Sequence, residues 1–162
     1  MIFDEWRPLL HFFQWCDATM IGEFIRARTW VFPVIETIHI LAMTVLFGSI
    51  ILVDLRLMNI GMKKESVPLL AQALNPYLQS GICVMLVTGI LLFLSEAMKA
   101  YSNSGFHFKI IMLGLALVFQ YTLWPAVTRK DKVSAGAGWL TGILSLGLWF
   151  SVGVGGRAIG FV

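Results

Sequence analysis

The stretch that decides the fold is residues 30–57, WVFPVIETIHILAMTVLFGSIILVDLRL. Between Trp30 and Val53 only Glu36 and His39 carry ionisable side chains. A bilayer core about 30 Å thick needs about 20 mostly apolar residues in helical form to cross it. This stretch therefore predicts a first transmembrane helix.

Three further apolar stretches of similar length follow, at about residues 76–98, 106–124 and 138–156. Pro125 directly follows the third, and we expect that helix to end there because proline disfavours a helical residue before it. The sequence thus predicts an all-α integral membrane four-helix bundle formed by residues 30–162.

Residues 1–29 are too polar to span a bilayer, because charged residues interrupt their apolar positions. Such a mixture is typical of helices that lie in the membrane interface. We expect an amphipathic interfacial segment that is separate from the four-helix domain, with Trp6, Trp15 and Trp30 at the level of the lipid headgroups.

Composition excludes several classes of protein. Of the 162 residues, 58% are hydrophobic and only 13% are charged, against about 25% charged in soluble domains. A soluble globular domain, a disordered chain and a nucleic-acid-binding protein are therefore not expected. Cys16 and Cys83 form no CxxC or CxxCH motif, which argues against a disulfide framework, a zinc knuckle and covalently attached c-type haem.

Basic residues predict the orientation. Two of the three loops between the spans are rich in them: Arg56, Lys63 and Lys64 in the first, and Arg129, Lys130 and Lys132 in the third. Lysine and arginine accumulate in cytoplasmic loops. We therefore expect both termini on the opposite side, which for a bacterial inner membrane is the periplasm. At the cytoplasmic end of the first span we expect Asp54 and Arg56 to form an ion pair in the membrane interface.

Rare ionisable residues within the spans converge at this outer end. Glu36 and His39 are three residues apart and so share a helix face, and Met43 lies one turn further along. On the predicted topology each of the other three spans brings polar groups to the same level: Glu96, His107, Lys109 and Arg157. Because such groups are costly in a membrane, they indicate a functional site.

Neutral imidazole in an apolar bundle is a good ligand for haem iron. The first hypothesis is a b-type haem protein with His39 as axial ligand, and with His107, Lys109 or a second protomer's histidine as the other ligand. The haem propionates would need cations nearby, and Arg157, Lys109 and Arg28 could supply them. Such a protein would transfer electrons or act as a membrane oxidoreductase, with a redox protein or quinone as partner.

Two alternatives stay open. One is a copper-binding or copper-transporting protein, with or without haem, whose metal ligands come from Glu36, His39, Met43, Glu96 and His107. Met85 and Cys83 could add sulfur ligands. The other is a structural subunit without a cofactor. The glycine-rich fourth span favours close helix packing, and we expect a homo-oligomer, either a dimer or a trimer.

Several of these residues belong to a longer pattern. Residues 30–41 contain P-x-x-E-x-x-H-I-L, then follow Gly48-Ser49 and D-L-R-L at residues 54–57, and Phe106-His-Phe-Lys109 and Gly156-Arg-Ala-Ile-Gly-Phe161 come later. The chain resembles a family of bacterial inner-membrane proteins without an assigned function. The resemblance covers most of residues 30–161 and implies the same topology.

More distantly, the arrangement resembles the bacterial membrane protoporphyrinogen oxidase of haem synthesis and the copper-resistance CopD domain. The likeness to the oxidase rests on a histidine in the first span and a lysine in the third, which correspond to His39 and Lys109, and it implies b-type haem. The segment from Thr44 to Gly48 lacks the tryptophan of the oxidase pattern.

Overall fold

The computed structural model describes residues 9–130 and 132–161. This part of the chain is helical, with short connections. Its helices are α1 (Leu10–Asp17), α2 (Met20–Arg26), α3 (Val31–Leu57), α4 (Val67–Ser95), α5 (Ala97–Ser102), α6 (Ser104–Tyr121), α7 (Leu123–Thr128) and α8 (Ala135–Ala158).

Within the described residues, four helical segments are long and apolar enough to cross a membrane: α3, α4, α6 together with α7, and α8. They form a bundle in which α3 packs mainly on α4, α6 packs mainly on α8, and α3 also contacts α8. The predicted all-α four-helix class is therefore confirmed, and the helices indicate a multi-pass protein in a lipid bilayer.

The second span begins earlier than predicted. Ser66 caps α4, because its side chain accepts a hydrogen bond from the backbone N–H of Leu69, and Pro68 stands in the first turn. Proline is well tolerated there, where the backbone N–H has no partner within the helix. Pro76, at which the sequence predicted the start, lies inside the helix.

The third span extends past both predicted ends. Asn103 caps α6, its side chain accepting a hydrogen bond from Phe106 N–H. At the far end the helix breaks at Thr122, and the chain continues as α7. Pro125 does not end the span, because the break places it in the first turn of a new helix.

Large apolar side chains fill the centre of the bundle. Leu46, Ile50, Val53, Leu78 and Trp149 are almost fully buried. Many other leucine, isoleucine and valine side chains on the four long helices are exposed. An apolar outer surface of this kind fits a protein whose solvent is lipid.

A buried polar cluster lies at the end of the bundle where α3 ends. Asp54 is fully buried, and its Oδ1 accepts a hydrogen bond of 2.9 Å from Trp124 Nε1. Ser145, also fully buried, lies near the same carboxyl group. An ion pair between Asp54 and Arg56 was expected, and this was wrong: Arg56 Nε instead donates to the backbone oxygen of Glu65.

The two N-terminal helices are packed onto the bundle. Phe13 and Cys16 are buried against α5, and burial raises the pKa of the Cys16 thiol. Arg26 donates to the carbonyl oxygens of Leu94 and Ser95 at the end of α4. Trp15 is exposed, as a residue at headgroup level would be. Trp6 lies outside the residues that the structure describes.

Candidate functional site

A cavity of about 810 Å³ lies at one end of the bundle, where α3 and α6 begin and α4 and α8 end. Its lining includes Phe32, Met43, Met85 and Gly89. Among the described residues, six ionisable side chains also line it: Glu36, His39, Glu96, Lys99, Lys109 and Arg157. The structure thus brings together, from all four spans, most of the polar residues that the sequence placed at this end.

His39 is held by a threonine of the neighbouring helix. Its Nδ1 lies 2.8 Å from Thr88 Oγ1, while that hydroxyl lies 2.6 Å from the carbonyl oxygen of Val84. Because the threonine has one proton and donates it to Val84, it accepts a hydrogen bond from Nδ1–H. Nε2 therefore carries the lone pair of the neutral ring, which is the form that binds metals.

Gly89 leaves room for this imidazole on α4. A Cβ at Gly89 would stand 3.4 Å from His39 Cε1, at the near limit of ordinary van der Waals contact. The side chain of His39 is half-buried. The close approach of α3 and α4 at this point thus sets the position of the ring within the cavity wall.

Lys109 lies deeper in the cavity than the other cations. It is half-buried, whereas Lys99 and Arg157 are exposed, and it lines the cavity together with His39. A Cβ at Gly156 would lie 3.6 Å from its Nζ, and one at Gly155 would lie 3.1 Å from its Cα. The two glycines of α8 therefore allow α6 to approach closely, and they leave space for the lysine side chain.

Charged residues of both signs stand at the rim. Lys99 forms an ion pair with Glu96, and the exposed guanidinium of Arg157 lies 4.8 Å from the centre of the Phe161 ring. Asn103 Nδ2 donates a 3.0 Å hydrogen bond to the carbonyl oxygen of Ile159, which ties the start of α6 to the end of α8. The rim therefore offers cations that are partly solvated.

Two predicted site residues lie elsewhere. His107 is buried beside the Phe106 ring, at a centroid separation of 6.2 Å, and is not among the residues that line the cavity. Arg28 lies over the ring of Phe24 at 4.4 Å and lines a separate depression beside α2, although Glu96 also borders that depression.

Sequence reasoning assigned no role to three residues that shape the site: Thr88, Lys99 and Asn103. A polar residue before the apolar run of α6 is a recognisable helix-capping signal, so Asn103 could have been found. Thr88 has no comparable signal, because its role depends on facing His39 across two helices.

Within residues 9–130 and 132–161, no group of three or more histidine, cysteine, aspartate or glutamate side chains is placed to hold a metal ion. A metal at this site would therefore need donors besides these four residue types, such as methionine sulfur, or ligands that it brings, such as those of a porphyrin.

The bundle and its cavity define a multi-pass helical membrane protein with a polar cavity at one end of the bundle. Within that class, the chain belongs to a family of unknown function, DUF6644, whose model matches residues 12–162. No curated protein and no solved structure matches the chain.

Proposed function

We propose that the protein binds a b-type haem in the 810 Å³ cavity, with Nε2 of His39 as an axial ligand. The observation that carries the proposal is the hydrogen bond between His39 and Thr88. It fixes the ring and directs the metal-binding lone pair to Nε2, as partners of ligating histidines do in metal sites.

Haem fits the donor set better than a bare metal ion. A porphyrin supplies four nitrogen ligands itself, so the protein needs to add only one or two. That requirement agrees with a cavity in which His39 is the one imidazole and no three-residue metal group is found in the described part of the chain.

The size and charge of the cavity also agree with haem. Cofactor sites commonly enclose about 300–1,000 Å³, a range that includes this cavity. Arg157 and Lys99 at the rim could pair with propionates. Lys109 lines the cavity with His39 and could also pair with a propionate, whereas His107 lies outside the lining and is the weaker candidate for a second ligand.

The proposed role is electron transfer or an oxidoreductase reaction at the outer side of a bacterial inner membrane. Basic loops at the opposite end of the bundle favour periplasmic termini. We further propose that the protein forms a homo-oligomer, either a dimer or a trimer, and that its partner is a redox protein.

Absorption spectra of detergent-purified protein, oxidised and reduced with dithionite, test the proposal. We expect a Soret band and a reduced α band, both lost in His39→Ala because the axial ligand is gone. Thr88→Val should keep haem but weaken its retention about 10–100-fold, the usual cost of losing such a partner.

His11→Ala is the matched control, since His11 is exposed on α1 and should leave the spectrum unchanged. A colourless protein from haem-replete cells, or an unaltered spectrum in His39→Ala, would contradict the proposal.

Copper is the second candidate, because Met43 and Met85 line the same cavity as His39, and two thioethers with one imidazole suit copper(I). Elemental analysis should then find copper in a colourless protein. Met43→Leu with Met85→Leu should remove it. A colourless protein free of metal would instead favour a structural subunit.

A further inference from the structure

A second cavity, of about 350 Å³, adjoins the first. It lies between α4 and α6 and beside α1, and we call it the lateral cleft. Its walls are formed chiefly by Leu86, Ile90, Phe93, Phe106, Ile110 and Leu113. His39, Gly89 and Lys109 line both cavities, so the two spaces meet at these residues.

The lateral cleft faces the apolar surroundings of the bundle. Ile90 and Ile110, on its two walls, are 57% and 41% exposed, and both lie within candidate membrane spans. Of the described residues that line the cleft, only His39 and Lys109 are ionisable. A molecule dissolved in the bilayer could enter between α4 and α6 and meet its first polar groups at the junction.

Aromatic rings surround the inner part of the cleft. Phe93 and Phe106 are stacked, with centroids 5.4 Å apart and planes 10° apart. Phe13 of α1 meets both rings edge-on, at 5.4 and 6.4 Å. Aromatic walls of this kind favour a flat conjugated ring over a flexible chain, because ring pairs gain specific contacts beyond area burial.

From this geometry we propose that the protein binds a lipid-soluble quinone, with its alkyl tail in the lateral cleft and its ring at the junction beside Lys109. A quinone carbonyl oxygen is an acceptor, and the lysine ammonium supplies donors. The choice of a quinone over a fatty acid rests on the proposed function, because quinones are the electron carriers that dissolve in the bilayer.

The test uses full-length protein in nanodiscs of synthetic phosphatidylcholine and a photoreactive azidobenzoquinone with a decyl tail. We expect labelling that maps to α4 and α6 and that unlabelled decylbenzoquinone suppresses. Ile110→Trp, which fills the cleft, should weaken binding about tenfold or more, and Lys109→Met should weaken it by a similar factor.

Ile111→Trp is the matched control, since Ile111 is exposed on the same helix and is not among the residues that line the cleft. It should bind the probe as the unchanged protein does. All variants are compared only where size-exclusion elution matches the parent. Equal loss in both tryptophan variants, competition by palmitate as strong as by the quinone, or no mapped labelling would each overturn the inference.

Haem spectra of the same samples separate the two proposals. Bound haem without quinone labelling would refute the quinone site and leave the haem site standing. Quinone labelling in a colourless protein would support the quinone site while refuting the haem proposal.

Discussion

His39 and Asp54 stand near opposite ends of α3, and each depends on a polar partner from another helix. Thr88 contacts His39, and Trp124 contacts Asp54. The sequence predicted that His39 would be functional, because an imidazole in a span is rare. It assigned the wrong partner to Asp54, since Arg56 is only two residues away but such residues do not face each other on a helix.

Trp124→Phe should lower the free energy of unfolding by about 1–3 kcal/mol, because it removes the indole N–H and leaves a buried carboxyl oxygen without its donor. Denaturant titration in detergent measures this loss. Trp139→Phe, on the exposed surface of α8, is the control and should change stability by less than about 0.5 kcal/mol.

A double-mutant cycle sharpens the measurement. Combining Trp124→Phe with Asp54→Leu should cost less than the sum of the two single changes, because both partners of the hydrogen bond are then apolar. Strict additivity would show that the two side chains are not coupled.

At the scale of the elements, sequence reasoning found every span but misplaced several ends. The apolar runs are visible because membrane insertion depends on the average polarity of about 20 residues. Helix ends depend instead on caps such as Ser66 and Asn103. The glycines of α8 divide into two sets: Gly155 contacts α6, whereas Gly147 has open space beside it.

Gly155→Ala should therefore destabilise the protein by about 1–3 kcal/mol, since the added methyl would press on the backbone of α6 and force it to shift. Gly147→Ala should be neutral or slightly stabilising, because alanine favours the helix and meets no neighbour. Thermal unfolding in detergent compares the two. Equal effects would mean that α6 and α8 do not pack closely at Gly155.

At the scale of the whole molecule, the lateral cleft is bordered on one side by α1, which is distant in sequence from α4 and α6. The helices α1 and α2 dock on α4 and α5, and Arg26 reaches the end of α4. An interfacial segment separate from the bundle was expected from polarity alone. Its docking depends on buried contacts such as Phe13 with Phe93, which composition does not encode.

The positions of the basic loops predict that the cavity faces the periplasmic side of the membrane. Basic loops stay in the cytoplasm, so the cysteine of Lys63→Cys should react with a membrane-impermeant maleimide only in inside-out vesicles. The cysteine of Ser102→Cys, at the other end of the bundle, should react only in intact spheroplasts. Cys16 is buried, and burial raises the pKa of its thiol, so it should add little background. The reverse labelling pattern would place the cavity on the cytoplasmic side.

From the sequence alone, the four spans, the helical class and the concentration of polar residues at one end could be predicted, because hydrophobic length and charge act locally along the chain. Tertiary structure alone decided that Thr88 holds His39, that His107 lies outside the cavity lining, and that a cleft between α4 and α6 meets Lys109. These features depend on the rotation and register of neighbouring helices, which are set by packing between residues far apart in the chain.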